Sequence, residues 1–175
     1  REIASATLNS RLVFRLSMAD VSQGGPFSDF AGLTRILTVI QGGAMRLHAE
    51  EQVLNADLWK PVEFDGALKI DAELVDQPLT DFNLMFDPEF CHGVVDVLHS
   101  GTSPKTTADP SQIAAIHVLT GEAVIADNAP LHQGDTALLT DQIGALSLAK
   151  NAAALLISIK FVAPIVLSDL EIKLR

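Results

Sequence analysis

Arginines and small polar side chains are spaced along this chain so that they could grip an anion. In "LVFRLSMADV" an extended backbone puts Arg15 and Ser17 on one face with Val13 and Ala19, and Phe14, Leu16 and Met18 on the other. In "RILTVIQGG" Arg35 alternates in phase with Leu37 and Val39. A guanidinium fork offers a carboxylate two parallel hydrogen bonds, and a serine hydroxyl adds another donor. Arg46 and His48 repeat the arrangement opposite Met45 and Leu47, and a histidine beside an anion can donate or titrate. "TDFNLM" sets Asp81 and Asn83 among large apolar residues, where Asn83 can both donate to and accept from a polar ligand. Each pattern has a second reading. Arg15 and Ser17 fit the water face of an antiparallel sheet, Arg35 a snorkelling strand end, Asp81 and Asn83 a local turn. Alternation alone does not choose.

Other chemistries find little support. The five histidines include no His-x-His pair, and His92 and His99, seven positions apart, face opposite ways on one strand. A single cysteine, Cys91, permits neither an internal disulfide nor a cysteine-based zinc site. It adjoins His92, which on a strand points the other way, so the two make no thiolate–imidazolium dyad. There is no Gly-x-Ser-x-Gly elbow and no phosphate-binding glycine loop. The one tryptophan, Trp59, reads as core, and Glu50-Glu51 as solvated surface. The expectation is no metal, no cofactor and no assignable catalytic residue.

The 175 residues carry a formal charge of −10, with 48% hydrophobic and 19% charged side chains, which excludes a disordered chain. No Lys/Arg cluster supplies the surface a nucleic acid needs, and no apolar run approaches the ~20 residues that span a bilayer. A lone cysteine fits a reducing compartment, so a cytoplasmic location is expected, with a small carboxylate as partner and a homodimer as one possible assembly.

The elements that must position these side chains are strands. Apolar stretches of 5–8 residues recur between Gly, Pro, Asp and Asn punctuation, as in "LKIDAELV" and "ALLISIKF". By propensity the best helix is Leu146–Ser158, "LSLAKNAAALLIS". An internal repeat argues otherwise. "VIQGGAMRL" matches "VLTGEAVIA", with Gly42 and Gly121 offset by 79; "FDGALKI" matches "QIGALSL", with Gly66 and Gly144 offset by 78. Aligning "GALKIDAEL" with "GALSLAKNAAALL" then predicts strand–turn–strand, with Lys150-Asn151 as the turn.

The second copy, "IHVLTGEAVI" with "PLHQGDTALLT", resembles a cupin barrel; two copies resemble a bicupin. "RLSMADV", "GPFSDF" and "DFNLM", with "REIA" at the start, resemble the HutD/Ves family, encoded among histidine-utilisation genes. The resemblance runs from Arg1 to about Phe161. It implies an all-β fold of two cupin-like (RmlC-like jelly-roll) modules, residues 1–100 with the better pocket and residues 101–175. It also implies a Trp-Lys-Asn-Gly-Gly-Gly run preceding the present first residue, able to cradle a ligand through backbone N–H groups.

Cupin metal sites use a His-x-His pair, a Glu and a later His. The family register puts the Glu position on Arg35, the pair near Ser28 and Phe30, and the last His on Phe64; in the second module these positions fall on Ala114 and near Thr107 and Asp109. Arg35 in place of a carboxylate turns a cation site into an anion site. The resemblance therefore implies a metal-independent protein that binds a small carboxylate and moderates histidine utilisation without catalysis, the ligand being urocanate or a formyl- or formimino-glutamate. Arg15 and Arg35 would clamp the carboxylate, Ser17, Ser28, Asp81 and Asn83 would add polar contacts, Phe27, Phe30 and Phe64 would wall the site, and His48 would stand near it. The alternatives are a metal-independent isomerase or hydrolase of a related acid, and a dimerising protein-interaction module.

Overall fold

The computed structural model describes residues 1–102, 111–126, 129–139 and 145–175. Among them regular structure is almost entirely β, with no α-helix and a single 3₁₀ turn at Leu167–Asp169. The chain forms two compact units, Arg1–Cys91 with Glu171–Arg175, and His92–Leu170. The module boundary expected at residue 100 thus compares with a division after Cys91, and the C-terminal segment, which no repeat signal reaches, joins the first unit.

In the first unit the strands are β1 (Glu2–Leu8), β2 (Arg11–Val21), β3 (Gly25–Pro26), β4 (Thr34–His48), β5 (Val53–Ala56), β6 (Val62–Asp65) and β7 (Asp71–Phe86). The sheet runs β1-β2-β7-β4-β5, with β3 also on β7, β6 also on β4, and Glu171–Leu174 pairing with β1 at the edge. Strand β4 explains its own sequence. Leu37, Val39, Met45 and Leu47 are fully buried and join Ala56, Phe64, Ile70, Ala72 and Leu79 in one core cluster, while Arg46 and His48 turn outward. Its paired glycines sit where β4 and β7 approach too closely for side chains. Gly42 has φ +90, and a Cβ there would stand 2.2 Å from the Pro78 carbonyl oxygen; one on Gly43 would stand 2.4 Å from that of Val75.

The second unit contains β8 (Cys91–His99), β9 (Gln112–Thr120), β10 (Glu122–Ile125), β11 (Leu131–His132), β12 (Thr136–Leu139), β13 (Leu146–Leu148) and β14 (Ala153–Phe161); the C-terminal strand of the first unit, Glu171–Leu174, is β15. Two sheets form here, β12-β9-β14-β8 and β11-β10-β13. Ala114, Ile116, Val118, Ile125, Leu146 and Leu156 cluster in its core. The segment with helical propensity is β13, a turn and β14, with Asn151 in the left-handed region at φ +65, as the repeat predicts. Gly121 matches Gly42 in conformation as well as in alignment, with φ +75 and a would-be Cβ 2.8 Å from that of Ala152. Gly144, Thr107 and Asp109 lie outside the described residues.

Candidate functional site: a two-arginine cavity

Register brings the polar residues of three separate strands into rows. Across β2, β7 and β4, Arg15 faces Met85 and Met85 faces Arg35; the next row is Ser17, Asn83 and Leu37, and the one after is Ala19, Asp81 and Val39. The two arginines are therefore two strand spacings apart, about 9–10 Å at the backbone, on one side of the sheet. Their side chains converge on the ring of Phe30, whose centroid lies 5.1 Å from the Arg15 guanidinium carbon and 5.2 Å from that of Arg35. Phe30 is delivered by the loop after β3. Phe27 N–H donates to the Ile70 carbonyl at 2.8 Å, and Phe30 N–H to that of Gly66 at 3.0 Å. Gly66 is required there, since a Cβ would stand 2.5 Å from the Phe30 carbonyl oxygen.

These rows and this loop line a cavity of about 450 Å³. Arg15, Ser17, Phe27, Ser28, Phe30, Arg35, Asp81 and Asn83 all border it. Phe64 stands behind Arg35 instead, with its ring centroid 5.1 Å from the guanidinium carbon and 6.4 Å from the Phe27 centroid. His48 does not border this cavity. It is exposed on the far half of β4, where Nε2 meets Glu73 at 2.9 Å. Its pairing with Arg46 reflects alternation opposite Met45 and Leu47, and Arg46 is itself occupied by Asp57 at 3.2 Å. Trp59 is neither core nor cavity: it is half-buried, with Nε1–H donating to the Ile40 carbonyl at 3.1 Å. Met85, at the centre of the arginine row, had a usable signal, because Asp81, Asn83 and Met85 alternate in one phase of "DFNLMF".

The electrostatics are those of cations short of partners. Arg35 is 6% exposed; aromatic rings surround its guanidinium, with Phe27 nearest at 4.8 Å. Its Nη2 donates to Asn83 Oδ1 at 2.9 Å, and its Nε is buried with no partner. Burial pulls its pKa down to about 10, against the pull of Asp81 and with the push of Arg15. Arg15 Nη2 reaches only the Met85 thioether, at 3.2 Å, and its Nε also is buried and unpartnered. A thioether is a weak acceptor for a charged donor. Asn83 Nδ2 in turn donates to Asp81, whose pKa burial pushes up to about 6 despite Arg35 and the Asn83 amide. Asp81 and Asn83 thus lie within β7, not in a local turn.

The cavity does not fit the cation of a cupin metal site. Three arginines border it, Arg1, Arg15 and Arg35, and Ala114, where the family register puts the Glu of a second metal site, is a buried apolar residue of β9. Among the described residues, no group of three or more His, Cys, Asp or Glu side chains is placed to hold a metal ion. Among the described residues, no helix is long and apolar enough to cross a membrane.

The fold is that of the cupin-like all-β proteins. A cupin 2 conserved barrel domain protein from Leptotrichia buccalis superposes with a TM-score of 0.57 at 12% identity, over 93% of this chain and 89% of that one. More similar are a conserved protein of Pseudomonas aeruginosa PAO1 (TM-score 0.75, 23% identity, 86% and 84% covered) and HutD from Pseudomonas fluorescens SBW25 in a formate condition (0.74, 25%, 90% and 86%). The HutD family model matches residues 1–157, and the chain belongs to the HutD family, which is linked to histidine utilisation. A 21.2 kDa Pseudomonas putida protein from the region 3′ of hutC is 39% identical over 77 residues, which is 43% of this chain and 40% of that relative's length.

Proposed function

We propose that the cavity binds a small carboxylate and that the protein moderates histidine utilisation as a metal-independent, non-catalytic binding protein. One observation carries the reading: two arginines in a single cross-strand row, each with a buried Nε that has no acceptor, border one cavity. Leaving a buried donor unmade costs about 1–3 kcal/mol, more for a charged one, so a site built this way gains most from an anion. The Phe27 and Phe30 faces suit the flat or aliphatic body of such an acid, and Ser17 and Ser28 add hydroxyls at the rim. Family membership selects among small acids: urocanate, formylglutamate and formiminoglutamate are the ligands we put forward. Two further parts of the proposal are a bicupin assembly of two jelly-roll modules and a cytoplasmic homodimer.

Calorimetric titration with these acids, with and without a chelator, tests the proposal. Saturable, chelator-insensitive binding with micromolar affinity, about −8 kcal/mol, supports it; heat only with added metal refutes it. A second reading, a metal-independent acid–base enzyme, is favoured by Asp81, a carboxyl held at about 6 in the same cavity. Recovery of every acid unchanged after prolonged incubation excludes it for those acids.

A further inference from the structure

The cavity already contains an anion of its own. Asp81 is 3% exposed, and it is met by two neutral donors, the Asn83 amide and the Ala19 backbone N–H. The charged groups that act on it are Arg35 from β4, Arg15 from β2, and at the β1 end the Arg1 guanidinium and α-ammonium, the latter donating to the Met18 carbonyl at 2.6 Å, and Glu2, held by Ser5 and Arg175. No histidine borders the cavity. Asn83 connects the ions in one fixed sense, because its Oδ1 faces a group that can only donate and its Nδ2 faces a group that accepts. Arg35 is thus balanced, through an amide, by a buried carboxylate on the neighbouring strand. A ligand carboxylate on Arg35 brings a second negative charge to a place where one is already desolvated.

We propose that the site takes up its anion together with a proton, and that Asp81 receives that proton. The inference rests on the anion-site reading above and adds to it a co-ligand and a regulating variable. Asp81 sits poised for it: burial has already pushed its pKa to about 6, held there by Arg35 and Asn83. A ligand that shares the field of Arg35 weakens that hold and adds its own repulsion, and both push the carboxyl further up. The sign follows from linkage. A complex that holds the proton more tightly than the free site does must bind its anion better as pH falls, until the free site too is protonated, below about 6. Once protonated, Asp81 also becomes an O–H donor, so the same group that opposes the ligand at high pH can support it at low pH.

The test is titration of the full chain with formate and with formylglutamate, neither of which carries a group that titrates between pH 5.5 and 8.5. Each is run in two buffers of different ionisation enthalpy, which counts the protons exchanged. The expected result at pH 7 is uptake of about half to one proton per acid, with affinity weakening about three- to tenfold per pH unit between pH 6.5 and 8. Asp81→Asn should exchange no proton, show a flat pH profile and bind more tightly than wild type at pH 8. The carboxyl ¹³C shift of Asp81, followed against pH with and without formate, identifies the group with no substitution at all; its midpoint should rise in the complex. Binding without proton exchange, or proton uptake that persists in Asp81→Asn, overturns the inference and leaves the anion site standing. Absence of binding of either acid throughout that pH range overturns both.

Discussion

Replacing Arg35 by Met should abolish most of the ligand affinity while preserving the fold. Methionine keeps an unbranched stem among Phe27, Phe30 and Phe64 and removes the guanidinium, its charge and its free Nε donor. Arg35 is 6% exposed, so water does little to screen what it gives a ligand. A charge-assisted hydrogen bond contributes about 1.5–3 kcal/mol, and a carboxylate seated on Nε and one Nη makes two of them. Against that gross figure stand the water the acid's carboxylate gives up and the freedom it loses on binding; the desolvation of Arg35 itself is already present in the free protein and does not enter. A net loss of about 3–4 kcal/mol remains, a fall of roughly two to three powers of ten in affinity. The substitution has a side effect: Asp81 loses its counter-charge, which destabilises the fold near neutral pH. The double variant Arg35→Met with Asp81→Asn separates the two. It should recover stability in urea denaturation without recovering affinity in calorimetry. Affinity of Arg35→Met within threefold of wild type, with the fold intact, would refute the claim that Arg35 holds the carboxylate.

Other predictions follow from the same geometry. Asp81 has a folded-state pKa of about 6 against 3.8 in the unfolded chain, so its contribution to stability is fully present below about 3.8 and lost as pH rises through 6. The loss is ~3 kcal/mol; urea denaturation should show a pH 4.5 to 8 decline that is smaller in Asp81→Asn by most of this amount, and parallel profiles would contradict it. His48→Ala should leave affinity within twofold of wild type, because His48 is exposed against Glu73 outside the cavity; a tenfold loss would bring it back into the site. Gly66→Ala should cost about 1–3 kcal/mol in thermal or urea unfolding and also weaken ligand binding, since the new Cβ must displace the loop that carries Phe30. The Cys91 thiol, buried and pushed up to about 12, should resist thiol reagents at pH 8 in the native protein and react once urea unfolds it; fast native labelling would contradict its burial.

What could be read from the chain was what lies within one strand. Period-two alternation put Arg15 with Ser17 and Arg35 with Leu37 and Val39, and the repeat overruled helix propensity at Lys150-Asn151. Pairing between strands was not legible, because register joins residues tens of positions apart and nothing local encodes it. The meeting of Arg35 with Asn83 and Asp81, and of Arg15 with Met85, depends on β2 and β4 flanking β7 in one register. The same gap explains His48, whose alternation with Arg46 looks like that of Arg15 with Ser17 until strand partners are known. In the sequence Gly66 marks only a repeat match with Gly144; its close approach to the Phe30 carbonyl is a tertiary fact.

The most direct measurement is a crystal structure of the protein grown with formylglutamate. The account predicts a carboxylate between β2 and β4, accepting from Arg35 Nε and from Arg15 at ~2.7–2.9 Å, with the acid's body against Phe27 and Phe30. A ligand bound elsewhere on the chain, or a metal ion in the cavity ligated by its carboxyl and amide oxygens, would contradict it.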